Sequence, residues 1–241
     1  LRFRTGFGRV QAKQAQQELQ ILNDRKVNDY LMRLGQQLAA KAPGEKYPYQ
    51  FQGVNDTSIN AFALPGGFLF INRGTIEAAD DEAQLAAVIG HEIGHSALRH
   101  GTNQATKAYL AQAPLAILGG ITGGKGALGV IAQVGGGFGV NSILLKYSRD
   151  AERQADIVGT QILFDSGYDP RAMAQFFEKL AAEGGQRAPQ WLSSHPDPAS
   201  RAANVQAEIQ RLGGYSQSMR TDSAEFQAIR RYVKSLPAPP K

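Results

Sequence analysis

Val88-Ile89-Gly90-His91-Glu92-Ile93-Gly94-His95-Ser96-Ala97-Leu98 is the stretch from which the rest of the chain is read. Residues four apart on an α-helix lie about 40° apart around its axis, so His91 and His95 project from one face and can offer two imidazole nitrogens to a single ion. Glu92 points to the flank of that face. This is the H-E-x-x-H arrangement, in which two His hold Zn²⁺ and the Glu, too far round the helix to ligate, serves as general base toward water. The surroundings are helical. Asp80 and Asp81 offer an N-cap, Glu82 suits the positive end of the dipole, Leu85, Val88, Ile89 and Leu98 make a buried face, and His100-Gly101 reads as the helix end with Gly at C′. Three polar side chains on a buried helix each need a partner, and a metal satisfies them together.

With 241 residues, 42% hydrophobic and 20% charged, the chain is expected to form one domain, residues 1–241, around a sizeable core. Its 26 Lys and Arg are scattered and the net charge is only +5, which excludes a nucleic-acid footprint and leaves solubility or weak attraction to anionic surfaces. The absence of Cys excludes thiolate-ligated zinc, a disulfide scaffold and a thiol nucleophile. Because the sequence starts at Leu1, a processed or omitted N-terminal targeting segment is expected.

Working outward, Val10 to Leu22 and Lys26 to Ala40 show helical spacing of Leu, Ile and Val, so residues 1–42 read as N-terminal amphipathic helices. Tyr47 to Val54 alternates as a half-buried strand does. Asn60-Ala61-Phe62-Ala63-Leu64-Pro65-Gly66-Gly67-Phe68-Leu69-Phe70-Ile71-Asn72 reads as strand, tight turn and strand, so residues 47–101 hold a small sheet and the H-E-x-x-H helix. Asn60, Ala61, Phe62 and Ala63 are candidates for a substrate-binding edge, since an exposed edge holds an extended peptide through its main chain. An ordinary core hairpin is the alternative reading. Residues 104–145 are rich in Gly and Ala, with Lys125 and Gln133 interrupting them, and are expected to form a lid or a membrane-touching segment rather than a span.

The helical part, residues 148–235, starts with Ser148-Arg149-Asp150-Ala151-Glu152-Arg153-Gln154-Ala155-Asp156. Glu152 and Asp156 stack on one face, where a solvated acidic surface is the plain reading. A site with two His, however, lacks a third ligand and an acceptor for an imidazole N–H. Glu152 and Asp156 meet those two needs. Helices follow at Arg171–Ala182, Ala199–Leu212 and Ser223–Ser235, and Pro237–Pro240 reads as a loose tail. His195, alone before Pro196, reads by itself as a loop residue.

In order along the chain, Asn60-Ala61-Phe62-Ala63-Leu64-Pro65-Gly66-Gly67, His91-Glu92-Ile93-Gly94-His95, Glu152-Arg153-Gln154-Ala155-Asp156, and His195-Pro196 with Arg201 resemble the gluzincin metallopeptidase family. That family takes in the CAAX prenyl proteases of type 1, HtpX-like membrane proteases, mitochondrial Oma1 and the periplasmic proteases BepA and LoiP; the short periplasmic members are nearest. The resemblance implies an α+β, mainly helical, zincin-type catalytic domain with a small antiparallel sheet beside the H-E-x-x-H helix. It implies one Zn²⁺ per chain on His91, His95 and Glu152, with Glu92 and His195 catalytic and Asp156 and Arg201 behind them. His195 would stabilise the oxyanion or act as an extra ligand in a latent state. The expected activity is endopeptidase cleavage of misfolded or envelope proteins in the bacterial periplasm or at the outer membrane, with peripheral or lipid-anchored membrane association. A latent or non-proteolytic envelope chaperone with the same metal site is the rival, and Glu92, redundant for a structural metal, favours the enzyme.

Overall fold

The computed structural model describes residues 2–104, 147–182, 190–195 and 198–239. Nearly all of the expected Gly-rich lid, the Glu183–Pro189 loop and Pro196 lie outside the described residues.

Helix α1 (Arg2–Glu18) precedes α2 (Arg25–Ala39), which Asp24 starts by accepting the N–H of Val27 and which buries Val27, Tyr30, Leu31, Leu34 and Leu38. The first helix therefore stops short of the expected Leu22. Ile21 instead bridges Val54, and Leu22 donates to the Gly53 carbonyl, so sheet contacts claim these residues.

Strands β1 (Gln50–Val54), β2 (Ala61–Leu64) and β3 (Phe68–Asn72) form one sheet in the order β1-β3-β2. The α+β, mainly helical reading holds, but the sheet is mixed rather than antiparallel: β1 runs parallel to β3, and β2 antiparallel to it. Alternation of apolar residues reports which face of a strand is buried and carries no information on the partner's direction. Here the chain crosses from β1 to the far edge before the Pro65-Gly66-Gly67 turn returns it. Gly66 and Gly67 have φ of 89° and 90°, a conformation that suits only residues without Cβ.

After α3 (Arg73–Ala78), helix α4 (Glu82–Ala97) carries the metal motif. Asp81 caps it by accepting the N–H of Gln84. Glu82 does more than complement the dipole: its carboxylate accepts from the hydroxyls of Tyr30 at 2.9 Å, Ser223 at 2.9 Å and Tyr168 at 3.1 Å. Burial first, and then the Glu82 charge, push the Tyr30 and Tyr168 phenols up, so both stay donors. The first turn of α4 is thus anchored to three other parts of the chain.

The far end of α4 differs from expectation. The helix stops at Ala97, Arg99 rather than Gly101 takes the left-handed position with φ 63°, and a helical turn resumes at His100. Such a conformation costs a non-Gly residue roughly 1–2 kcal/mol. What it achieves is a reversal that carries His100 into the interior, where it is 8% exposed.

Helix α5 (Arg149–Asp165), capped by Ser148, crosses α4 backbone to backbone. A Cβ on Gly94 would lie 2.9 Å from the Ala155 carbonyl oxygen, too close for α5 to stay where it is. Gly94→Val is therefore expected to push α5 outward, separating Glu152 from the two His of α4, at about 1–3 kcal/mol in stability. Metal titration of the variant checks this, and parental affinity would show that the close crossing is dispensable. Helices α6 (Arg171–Ala182), α7 (Trp191–Ser194), α8 (Pro198–Arg211) and α9 (Ala224–Ser235) complete the described fold. The tail is not loose at its start. Buried Arg73 donates to the carbonyls of Val233, Leu236 and Pro237 at 3.0, 3.3 and 2.7 Å, filling acceptors that a helix end leaves open. Among the described residues, no helix is long and apolar enough to cross a membrane.

Candidate active site

His91 and His95 on α4, Glu152 on α5 and His195 just after α7 are all buried, and each offers a donor atom within 4.8 Å of the others'. His91 Nε2 is 2.9 Å from His95 Nε2, 3.3 Å from His195 Nδ1 and 3.6 Å from Glu152 Oε2. Glu152 Oε1 lies 3.5 Å from His95 Nε2 and 3.0 Å from His195 Nδ1.

Asp156 and Arg201 stand behind this cluster. Arg201 grips Asp156 through two bonds, Nε to Oδ2 at 2.9 Å and Nη2 to Oδ1 at 2.6 Å, and its Nη1 is 2.9 Å from Glu152 Oε2. The guanidinium lies over the rings of Phe177 and Trp191, 4.1 and 4.6 Å from their centroids. Asp156 Oδ1 in turn is 3.0 Å from His91 Nδ1, so the carboxylate draws the imidazole proton to Nδ1 and leaves Nε2 bare. Arg201 Nη2 is also 3.2 and 3.3 Å from the two ring nitrogens of His91, nearly equidistant from them, and its shorter bond, at 2.6 Å, goes to Asp156 Oδ1.

Protonation suits a cation. Burial, then the Arg201 charge, hold His91 well below the ordinary imidazole range, and burial lowers His95 to about 3, so both are neutral. Burial pushes Glu152 up, but His195 and the neighbouring His95 and His91 outweigh it and keep the carboxylate charged. Neutral nitrogens converging on one carboxylate satisfy each other poorly and a divalent cation well. A tetrahedral zinc site with bonds of about 2.0–2.2 Å has ligand atoms roughly 3.3 Å apart, close to the separations here. The residues present therefore fit a zinc ion.

Glu92 is set apart from this group. Both of its oxygens are buried without a hydrogen bond among the described residues, and the nearest ionisable nitrogen is His195 Nε2 at 3.4 Å. Burial raises its carboxyl to about 7, with His195 pulling the other way. A carboxyl at that value suits proton transfer near neutrality.

Of the proposed edge residues, Ala61, Phe62 and Ala63 lie in β2, at the margin of the sheet and against α4, and Asn60 immediately precedes it. Asn72 N donates to Asn60 O, and with the register Ala61↔Ile71, Ala63↔Leu69 the paired positions toward β3 are 60, 62 and 64. Main-chain groups of Ala61 and Ala63 therefore face away from β3. Asn60 is committed inward: its N–H goes to Thr75 Oγ1 at 2.9 Å and its carbonyl accepts from the same hydroxyl at 2.7 Å. Phe62 packs on Phe70 with centroids 5.2 Å apart. A small open depression is lined by Tyr47, Ala63, Leu64, His95 of α4, Arg99 just past the end of that helix, and Tyr147.

Three neighbours of the cluster carry no sequence signal. Tyr147 stacks on His95 with centroids 4.0 Å apart, and Trp191 on His195 at 4.5 Å. His100 Nδ1 is 3.0 Å from His95 Nδ1, and His100 Nε2 is 3.2 Å from Gln154 Oε1. On a continuous helix a residue five past His95 would point about 140° away, so only the turn at Arg99 brings it back.

The sequence profile of peptidase family M48 matches residues 25–209, which bracket every residue of the cluster. Over 213 residues the chain is 33% identical to the beta-barrel assembly-enhancing protease of Escherichia coli K12, covering 86% of this chain and 44% of that protein. It is 34% identical over 191 residues to the putative beta-barrel assembly-enhancing protease of Vibrio cholerae, covering 75% and 39%. With the mitochondrial metalloendopeptidase OMA1 of Arabidopsis thaliana it shares 29% over 215 residues, covering 87% and 42%. The chain thus spans less than half the length of each of these relatives.

Proposed function

The chain belongs to peptidase family M48, and on that premise we propose that it is a zinc-dependent endopeptidase that holds its metal on His91, His95 and Glu152 and uses Glu92 as general base. The observation that carries this reading is the approach of His91 Nε2, left bare by Asp156, to His95 Nε2 and Glu152, with the unbonded Glu92 carboxylate at the flank. Two imidazoles and a carboxylate, with no thiolate, are the donor set expected for a catalytic zinc.

Zinc bound there supplies Lewis acidity, polarising the scissile carbonyl and bringing the pKa of water from 15.7 toward about 7. Glu92 takes the proton from water on its free carboxylate oxygen and returns it to the leaving amine. Asp156 fixes the orientation of His91, and Arg201 holds Asp156 and Glu152 together. Ala63, partly exposed where Ala61 is buried, pairs with the substrate main chain along the edge of β2, which makes recognition largely blind to sequence. A domain spanning residues 1–241 that acts on envelope proteins in the periplasm fits the relatives named for enhancing β-barrel assembly.

His195 has two readings. As an oxyanion donor it would contribute about 3 kcal/mol to the transition state. Its Nδ1 lies within the ligand cluster, 3.3 Å from His91 Nε2, which favours the second reading: a fourth ligand that closes the site. His195→Ala is accordingly expected to keep its zinc and cleave casein faster than the parent. A variant slower than the parent would return His195 to the oxyanion role.

The ligand assignment itself is tested by metal analysis of the purified parent, His91→Ala and Glu152→Ala. One zinc in the parent and none in either variant is the expected result; zinc retained in both variants would overturn it.

A further inference from the structure

The two His of α4 are backed differently. His91 has a carboxylate at Nδ1, Asp156, whereas the group at Nδ1 of His95 is another imidazole, His100, at 3.0 Å. His100 is 8% exposed, and its other nitrogen reaches Gln154 Oε1 at 3.2 Å. Gln154 is on α5, two residues from Glu152, so the three side chains run from a proposed ligand on one helix to the helix that supplies the next.

Resting on the zinc-site reading above, we infer that His100 is a positioning residue for the metal: with Gln154 it forms a neutral relay that fixes the tautomer and ring orientation of His95. Gln154 Oε1 can only accept, so His100 Nε2 carries the proton. His100 Nδ1 is then bare and accepts from His95 Nδ1–H, which leaves His95 Nε2 with a free lone pair aimed at His91 Nε2 and Glu152. Both His of α4 thereby point bare Nε2 atoms into the cluster. The backing of His95 adds no charge, whereas a second carboxylate behind the cluster would add one to Glu152 and Asp156. Arg99 supplies the means: its left-handed backbone, unfavourable for any residue with a Cβ, turns the chain after Ala97 so that His100 folds back over His95. Ring contact reinforces the placement, with the two imidazoles meeting edge to face at 5.0 Å.

The relay is distinct from packing, and conservative variants separate the two. His100→Phe keeps the ring and removes both nitrogens. His100→Asn places an amide oxygen where Nδ1 stood and can still accept from His95. Zn²⁺ affinity of the full chain is measured by competition with a chromophoric chelator, and the ¹⁵N resonances of His95 are recorded in the zinc-loaded parent and both variants. Losing a partner behind a metal-ligating His typically weakens binding by roughly 10–100-fold, and that is the loss expected for His100→Phe, with His100→Asn restored to within a few-fold of the parent. In the parent the His95 proton is expected on Nδ1. Parental affinity in His100→Phe would overturn the relay. So would an equal loss in both variants, since that is the signature of packing alone. A parent that binds no zinc would instead overturn the metal-site reading on which the relay rests.

Discussion

In Glu92→Gln, peptide hydrolysis is expected to fall by about 10²–10⁴-fold, the usual contribution of a general base, while the zinc content stays that of the parent. The argument is geometric. Glu92 lies on the same helix as His91 and His95 but outside their cluster, and neither of its oxygens is engaged by a hydrogen bond among the described residues. Its one close charged neighbour among the described residues is His195 Nε2, 3.4 Å from Oε1, and Gln fills the same volume, so the fold and the zinc ligands are expected to survive the substitution. What Gln lacks is the ability to take up a proton near neutral pH, which burial of the Glu92 carboxyl, at about 7, provides. Zinc retained together with parental turnover would remove Glu92 from the mechanism, and loss of zinc would make it a ligand.

Arg201→Met is expected to have the largest effect on stability. Arg201 is 2% exposed and is the cation that Asp156 and Glu152 share, with Asp156 gripped through two bonds. Met keeps an apolar stem against Phe177 and Trp191 but leaves two buried carboxylates uncompensated. Breaking a buried pair from one side costs about 3–5 kcal/mol, and here it also loosens the group that orients His91. Denaturant unfolding of the metal-free protein measures the loss. A change below about 1 kcal/mol would mean that water or another group already neutralises the carboxylates.

Local features with a short-range cause were legible in the sequence. The Asp81 cap, the face shared by His91 and His95, the Ser148 start of α5 and the stacking of Glu152 with Asp156 all follow from helical spacing and capping chemistry, and the structure has each of them. Arg201 and His195 were reached through the resemblance, because nothing within a few residues of either marks it. What depends on long-range placement was not legible. The parallel pairing of β1 with β3 is set by a crossing connection, and the hold of Arg73 on the end of α9 joins residues 160 or more positions apart. His100 was hidden for a different reason. Helical periodicity continued through Leu98 and suggested a Gly-terminated end, whereas the chain turns one residue before His100, at an Arg in a conformation that sequence patterns assign to Gly.

Metal content and casein cleavage of one purified sample, followed through chelation and re-addition of zinc, test the central claim most directly. The account predicts one zinc per chain, cleavage abolished when the metal is removed and restored by a single equivalent of zinc, with the fold retained throughout. Cleavage that persists in fully metal-free protein would contradict it.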